Sequence, residues 1–162
     1  MQKIITYLWF NDKAEEAANF YVSLFKNSKI NAVRRYGDAG PGPKGSAMSV
    51  EFELEGQHFI ALNGGPHFTF TPAISLFVNC ENQQEVDELW QRFTAGGKES
   101  RCGWLQDKYG LSWQIIPTAL GKLLSDPDPA KSGRVMKAML QMGKIDVRAL
   151  QEAHDGNKAA AQ

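Results

Sequence analysis

The segment Asp107-Lys108-Tyr109-Gly110-Leu111-Ser112-Trp113-Gln114-Ile115-Ile116-Pro117 decides the fold of this chain. Its first four residues have turn chemistry, because an Asp side chain bonds its own backbone two residues on and Gly supplies a positive φ. The aromatic and β-branched run from Leu111 to Ile116 predicts a strand that leaves a tight hairpin. The polar Gln114 lies inside that strand, on the face that also carries Ser112 and Ile116. Gln114 is therefore the first candidate for a functional contact.

The predicted strand from Leu111 closes the second of two similar units. The elements predicted before it in that unit are a strand over Ala73–Asn79, a helix opened by Asn82 and ending near Ala95, a weak strand over Glu99–Trp104, and a strand start at Leu105–Gln106. The earlier unit has a strand over Ile4–Phe10, a helix capped by Asn11 or Asp12 and ending near Phe25, and strands over Lys29–Tyr36, Ala47–Leu54 and Gln57–Leu62. Both units have the order β-α-β-β-β, which indicates an internal duplication.

The region after Pro117 changes in character. Its predicted helices cover Thr118–Leu124, Ser132–Met142 and a last stretch through His154, with a rigid break at Asp126–Pro129. The fold class is therefore α+β, with two tandem β-α-β-β-β modules and C-terminal helices. The expected division is residues 1–66 and 67–117 for the modules, 118–154 for the helical extension and 155–162 for a disordered tail.

Composition excludes several classes of protein. The chain has 162 residues, 43% of them apolar and 22% charged, and 18 basic residues balance 18 acidic ones. No basic field favours nucleic acid or acidic lipid, and no apolar run approaches the ~20 residues of a membrane span. The N-terminus lacks the pattern of a signal peptide, and the isolated Cys80 and Cys102 suggest reduced thiols. We therefore expect a cytoplasmic protein that binds neither nucleic acid nor membrane.

Several segments resemble one family closely. They are Tyr7-Leu8-Trp9-Phe10, Ala14-Glu15-Glu16-Ala17, Phe59 to Pro66, Tyr109 to Gln114 and Arg134 to Asp146. Together with the repeated unit, they resemble the PhnB-like branch of the vicinal oxygen chelate superfamily, which includes glyoxalase I, bleomycin-resistance proteins and extradiol dioxygenases. Members often carry the label 3-demethylubiquinone-9 3-methyltransferase. The resemblance covers the chain to about His154 and implies a curved sheet that encloses a cavity, together with a homodimer.

The resemblance also locates the positions where metal-using members place their ligands. These positions fall on Ile5, on Ala61 or Asn63, on about Ala73, and on Gln114. At most two neutral amide oxygens remain where a divalent ion favours charged or imidazole ligands. We therefore expect no metal and no other cofactor.

The candidate cavity-lining residues are Gln114, Tyr7, Trp9, Asn63, Ser75, Trp104 and His67, with Phe77 on the same strand parity as Ser75. Each has a plainer interpretation: Gln114 as a satisfied core amide, Asn63 as a turn former, Ser75 as an inert strand serine and the aromatic residues as core. His67 is interpreted as a linker histidine in an aromatic connector, and His58 and His154 are expected to face solvent. The Gly/Pro loop from Gly37 to Gly45 is expected to be mobile and unsuited to phosphate, because Pro41 and Pro43 lack N–H groups.

Three functions follow from these observations. The leading one is a metal-independent protein that binds a small, partly apolar molecule, with catalysis undecided. The second is a metal-dependent glyoxalase- or dioxygenase-type enzyme with an unusual ligand set, such as Asn63, Gln114 and His67. The third is the methyltransferase of the family label, which is disfavoured because the first strand runs into Asn11-Asp12-Lys13 without a glycine.

Overall fold

The computed structural model describes residues 2–157 and contains eight strands and five helices in that range. The chain divides into two compact units, the first ending at Phe70 and the second beginning at Thr71. The elements of the first unit are β1 (Thr6–Phe10), α1 (Ala14–Leu24), β2 (Lys29–Arg35), β3 (Ala47–Leu54) and β4 (Gln57–Asn63). Those of the second are β5 (Ser75–Cys80), α2 (Gln83–Thr94), β6 (Lys98–Glu99), β7 (Trp104–Gln106), β8 (Ser112–Pro117), α3 (Thr118–Leu124), α4 (Pro129–Leu140) and α5 (Val147–His154).

The two units repeat one sheet topology. The strand order is β1-β4-β3-β2 in the first sheet and β5-β8-β7-β6 in the second. In each, the first and last strands of the module pair in parallel and the other neighbours are antiparallel. The α+β class and the duplicated β-α-β-β-β order are thus confirmed.

Each sheet buries one face under its own helix. In the first unit the Tyr21 ring of α1 lies 6.3 Å from Phe52, which stacks on Phe59 at 5.3 Å. In the second unit Phe93 of α2 lies 4.5 Å from the Trp113 ring. Alternation along the strands then directs every second side chain to the opposite, open face.

The hairpin before β8 has the predicted turn chemistry. Asp107 Oδ1 accepts hydrogen bonds from the N–H groups of Tyr109 (2.9 Å) and Leu111 (3.0 Å), and Gly110 adopts φ +87°. Asp107 Oδ2 accepts a further bond from the Trp113 indole at 3.0 Å. The carboxylate is 3% exposed, so one buried side chain joins the turn to the core.

Three local predictions were wrong. The N-cap of α1 is Lys13 without a side-chain bond, so neither Asn11 nor Asp12 caps this helix. The weak strand over Glu99–Trp104 is instead β6 and β7, separated by a turn in which Cys102 (φ +57°) and Gly103 (φ +83°) are left-handed. Helix α4 begins three residues early, because Asp128 caps it and Pro129 occupies its first turn.

The C-terminal helices pack on the end of the second sheet. A buried cluster joins the last strand to all three of them and consists of Ile116, Leu120, Val135, Ile145 and Leu150. The turn before β7 is fixed to the same region, because Cys102 N–H donates to Met142 and Gly103 N–H to Gly143, both at 2.8 Å.

Cys80 and Cys102 are free thiols, as expected, and Cys80 is buried. The N–H groups of Asp155, Gly156 and Asn157 donate to carbonyls of α5. The rest of the expected disordered tail, residues 158–162, lies outside the described residues. No helix among residues 2–157 is long and apolar enough to cross a membrane.

Candidate functional site

The open face of the second sheet carries Gln114 in the middle of a row. The register pairs Gln114 of β8 with Phe77 of β5 on one side and with Trp104 of β7 on the other. Directly paired residues project to the same face, so the amide is flanked by two aromatic side chains. Phe77 is 53% exposed, which leaves this row open in the structure.

A second polar row lies beside it, formed by Ser75, Ser112 and Gln106. Gln114 Nε2 donates to Ser75 Oγ at 2.9 Å, and this is the hydrogen bond that the side chain makes within residues 2–157. Ser112 Oγ is buried without a partner in residues 2–157. This face therefore holds neutral hydrogen-bonding groups and aromatic surface, and no charge lies on the row of Gln114.

The structure thus brings together three of the sequence candidates, Gln114, Ser75 and Trp104. The strand parity that places Phe77 with them was visible in the sequence. The pairing of Phe77 and Trp104 with the same glutamine was not, because register is set by the whole sheet.

Two other candidates lie on β1 in the first unit. Tyr7 is 57% exposed on the open face of its sheet. Trp9 is half-buried, donates through Nε1 to the Gly65 carbonyl at 2.9 Å and meets Phe68 edge-on at 4.9 Å. A Cβ on Gly64 would clash with the Trp9 ring, so this indole fixes the course of the chain after β4.

Both ends of the Asn63 amide bond the backbone around it. Its Oδ1 accepts from Ala14 N–H at 2.8 Å, at the first residue of α1, and its Nδ2 donates to the Ala47 carbonyl at 3.1 Å. Asn63 therefore supplies the helix cap that was expected from Asn11 or Asp12. His67 lies on the exposed connector, away from any strand.

The histidine expected to face solvent at the C-terminus does not. The His154 side chain is 15% exposed and lies 2.7 Å from Asp126 and 3.1 Å from Asp155. Hydrogen bonding to Asp126, followed by that to Asp155, raises the pKa of His154. This histidine joins α5 to the break between α3 and α4.

The residues do not suit a divalent metal ion. Among the family's ligand positions, Ile5 and Ala73 carry no donor atom, and Asn63 Oδ1 already accepts from Ala14. No group of three or more His, Cys, Asp or Glu residues that could hold a metal is found within residues 2–157. One neutral amide oxygen at Gln114 is a poor ligand set for such an ion.

A cleft of about 560 Å³ lies at one end of the first sheet. Its charged and aromatic lining includes Asp12, Glu15, Arg35 and Tyr36. None of these was a sequence candidate, because they come from separate segments whose proximity no local pattern reveals. The sequence signal for this cleft was the pair of glycines, Gly40 and Gly42, that follows Tyr36. A Cβ on either glycine would clash with the Tyr36 ring.

Comparison with known proteins gives one family. The family model described as 3-demethylubiquinone-9 3-methyltransferase matches residues 2–116. A PhnB protein from Bacillus cereus with the same description is 42% identical, with a TM-score of 0.68 over 72% of this chain and 100% of that one. No protein with a curated functional description matches.

Two more distant structures show the same fold. A protein from Pseudomonas aeruginosa is 20% identical, with a TM-score of 0.60 over 72% of this chain and 98% of its own. The fosfomycin resistance protein FosX from Listeria monocytogenes, in complex with Mn(II) and sulfate, is 14% identical, with a TM-score of 0.50 over 70% and 90%. The vicinal oxygen chelate fold expected from the sequence is thereby confirmed.

Proposed function

Since this chain belongs to the PhnB-like family described as 3-demethylubiquinone-9 3-methyltransferase, within the vicinal oxygen chelate superfamily, we propose that it binds a small, partly apolar molecule without a metal ion. The observation that carries the proposal is the row of Phe77, Gln114 and Trp104 on the open face of the second sheet. An amide between two aromatic side chains can orient a flat ligand and exclude water from its faces.

The chemistry of the row favours a neutral ligand. Gln114 Nε2 is engaged by Ser75, which leaves the carbonyl oxygen of Gln114 to accept from a ligand N–H or O–H group. The hydroxyl of Ser75 can donate in turn. A planar molecule with an amide-like or phenolic edge suits this arrangement better than a carboxylate or an ammonium group. Tyr7 and Trp9 are proposed as further ligand contacts in the first unit.

The metal-independent part of the proposal rests on the donor set. A divalent ion would lose most of its hydration shell on binding, and the single amide oxygen of Gln114 would offset little of that free-energy cost. The metal-dependent glyoxalase- or dioxygenase-type enzyme is the alternative, and the methyltransferase named by the family description is the third. The metal-dependent enzyme requires the purified protein to bind a metal ion, and the methyltransferase requires it to bind S-adenosylmethionine.

The first test is a thermal-shift screen with planar neutral compounds, comparing the wild type with Gln114→Ala. We expect a compound that raises Tm in the wild type and loses about tenfold in affinity in the variant, because a desolvated hydrogen bond is lost. Gln84→Ala is the matched control, since Gln84 lies exposed on α2 and bonds only Glu88 among the described residues. Equal affinity in the wild type and Gln114→Ala would count against this site.

The second test measures metal content in protein purified without a chelating column, before and after dialysis against EDTA. The proposal expects far less than one metal per chain and an unchanged Tm. Stoichiometric metal whose removal lowers Tm would favour the metal-dependent enzyme. Calorimetry with S-adenosylmethionine tests the methyltransferase function. We expect no heat of binding.

The proposal includes a homodimer in the cytoplasm. Its support is the family membership and the exposure of Tyr7 and Phe77, at 57% and 53%, on open sheet faces. Solvent-exposed aromatic side chains of this kind are common at subunit interfaces. Sedimentation equilibrium at micromolar concentration tests it, with a monomer as the contrary result.

A further inference from the structure

We propose that the cleft at the end of the first sheet is a second binding site, which takes a small organic ligand through a primary ammonium group at Asp12. The cleft has a volume of about 560 Å³, within the range of small-molecule sites. Its walls come from the β1–α1 connection, the first turn of α1, the end of β2 with the following loop, and the residues after β4. All of these belong to the first unit.

The charges in the cleft leave one negative group unpaired. Arg35 and Glu15 form an ion pair at 2.8 Å, and Arg35 also donates to the Gly45 carbonyl at 3.4 Å. Those two charges offset each other. Asp12 lines the same cleft, and within residues 2–157 its carboxylate has no hydrogen bond or ion pair. The lining residues Asp12, Glu15 and Arg35 together carry a net charge of −1, which attracts a cation.

The backbone of the cleft is poor in hydrogen-bond donors. Pro41 and Pro43 have no N–H group. The N–H groups of Gly64 and Gly65 already donate to the carbonyls of Phe10 (2.9 Å) and Asn11 (3.2 Å). These four residues therefore offer an anion no free backbone N–H group, whereas an ammonium group, with three donors and no acceptor, finds the Asp12 carboxylate.

The apolar wall is shaped by a loop that the sequence suggested would be mobile. Gly40 and Gly42 both lie against the Tyr36 ring, and a Cβ at either position would clash with it. The loop is closed by the bonds from Tyr36 N–H to Ser46 and from Gly45 N–H to Tyr36, at 2.9 and 2.8 Å. This packing gives the cleft an aromatic side, which suits a ligand with a short apolar body beside its ammonium group.

The site is separate from the one in the second unit. Its lining contains none of Gln114, Phe77, Trp104 or Ser75. Failure of either proposal therefore leaves the other standing.

The test is an NMR titration of the ¹⁵N-labelled full chain with benzylamine, benzyl alcohol and benzoate, which share a ring and differ in charge. We expect saturable shifts of the amides of Glu15, Gly64 and Gly65 with benzylamine, and binding at least fivefold weaker with the other two compounds. Asp12→Asn should weaken benzylamine binding about fivefold, the scale of one exposed ion pair. Asp38→Asn should have no effect, because Asp38 lies in the loop after β2 but outside the cleft lining and pairs with Lys44 at 3.0 Å.

Glu15→Gln gives an independent check, because it removes the partner of Arg35 and makes the cleft neutral overall. It should weaken benzylamine binding and strengthen benzoate binding. The proposal is overturned if benzylamine gives no saturable shift at the cleft, if benzyl alcohol or benzoate binds as well, or if Asp12→Asn binds benzylamine like the wild type. The dispersion of each variant's spectrum confirms that it is folded.

Discussion

Single polar side chains bond groups outside their own turns. Asn63 bonds the first residue of α1 and the first residue of β3, 49 and 16 positions away. Asp107 bonds its own turn and the indole of Trp113. Both residues stand next to glycine-containing turns and are easily taken for turn formers alone, yet each joins a loop to the packed part of its unit.

Replacing Asn63 by Ala tests whether that residue is structural. We expect the free energy of unfolding to fall by about 1–2 kcal/mol, because α1 loses its cap and the Ala47 carbonyl loses its donor. Urea denaturation measures the change. Asn19→Ala, at an exposed position of the same helix, should cost much less. A change in metal content without loss of stability would instead favour Asn63 as a ligand.

Replacing Asp107 by Asn tests the buried carboxylate. An amide presents one NH₂ group where two oxygens now accept three bonds, so at least one buried donor loses its acceptor. We expect a loss of about 2 kcal/mol, the scale of a hydrogen bond to a charged group. The chemical midpoint in urea reports it. An exposed control, Asp38→Asn, should leave the midpoint in place, and equal midpoints for both variants would contradict this role.

At the scale of elements, the sequence predicted those strand bounds, helix bounds and helix caps that depend on neighbouring residues alone. The observed bounds of β3 and α3 are the predicted ones, and Asn82 caps α2 by accepting from the Glu85 N–H at 2.9 Å, as expected. The cap of α1 was missed because it comes from another strand. The division between β6 and β7 was missed because a left-handed Cys102 has no sequence signal, Cys being an uncommon residue in that conformation.

Helix α5 is held by an interaction that depends on pH. His154 lies between Asp126 and Asp155, and Lys131 is the further charge that acts on both carboxylates. Arg134 adds bonds from its guanidinium to the carbonyls of Ala153 and His154, both at 2.8 Å. These bonds join α4 to the end of α5.

The raised pKa of His154 fixes the direction of the pH effect. The folded chain holds this proton more tightly than the unfolded chain, whose His pKa is about 6.5. The stabilisation is complete below that value and is lost as the pH rises through the raised pKa. On the acid side, the Asp128 N–H and then His154 lower the pKa of Asp126, so its contribution disappears as the pH falls below about 4.

We therefore expect Tm to be higher at pH 5.5 than at pH 8, with a smaller difference in His154→Gln. The variant keeps a hydrogen-bonding side chain but cannot gain the charge. His67→Gln, on an exposed connector, should retain the wild-type difference. An unchanged difference in His154→Gln would assign the pH effect to another group.

At the scale of the whole molecule, the chain consists of the module that the family model covers and of helices beyond it, where the family resemblance of Arg134 to Asp146 stays a prediction. The family model ends at residue 116, and the PhnB protein of Bacillus cereus is covered completely by 72% of this chain. The helices beyond β8 supply the partners of Ile116, which is 7% exposed. Sequence analysis predicted these helices but not what they cover, because burial of Ile116 depends on side chains up to 34 residues away.

Ile145→Ala tests how much the added helices contribute. Ile145 is fully buried in the cluster with Ile116, so its truncation should cost about 2–4 kcal/mol and lower Tm by several degrees. Differential scanning calorimetry measures this change. Ile74→Ala is the matched control, because Ile74 is 70% exposed. A Tm equal to that of the control would mean that the extension adds little to the stability of the second unit.

The sequence predicts part of the candidate site and leaves the rest unpredicted. Gln114, Ser75 and Phe77 follow from strand parity, and Trp104 follows once a strand is placed there. The cleft around Asp12 and Arg35 depends on the meeting of four segments, which no periodic pattern encodes.

The two free thiols differ in exposure, so that one of them can be labelled selectively. Burial, and then the nearby Glu85, raises the pKa of Cys80 to about 12, so this sulfur stays protonated and unreactive at neutral pH. Cys102 is partly exposed, and its own N–H donates to the Met142 carbonyl. An alkylating reagent will therefore modify Cys102 before Cys80, without mutagenesis, and will place a label at the turn that bonds the connection between α4 and α5.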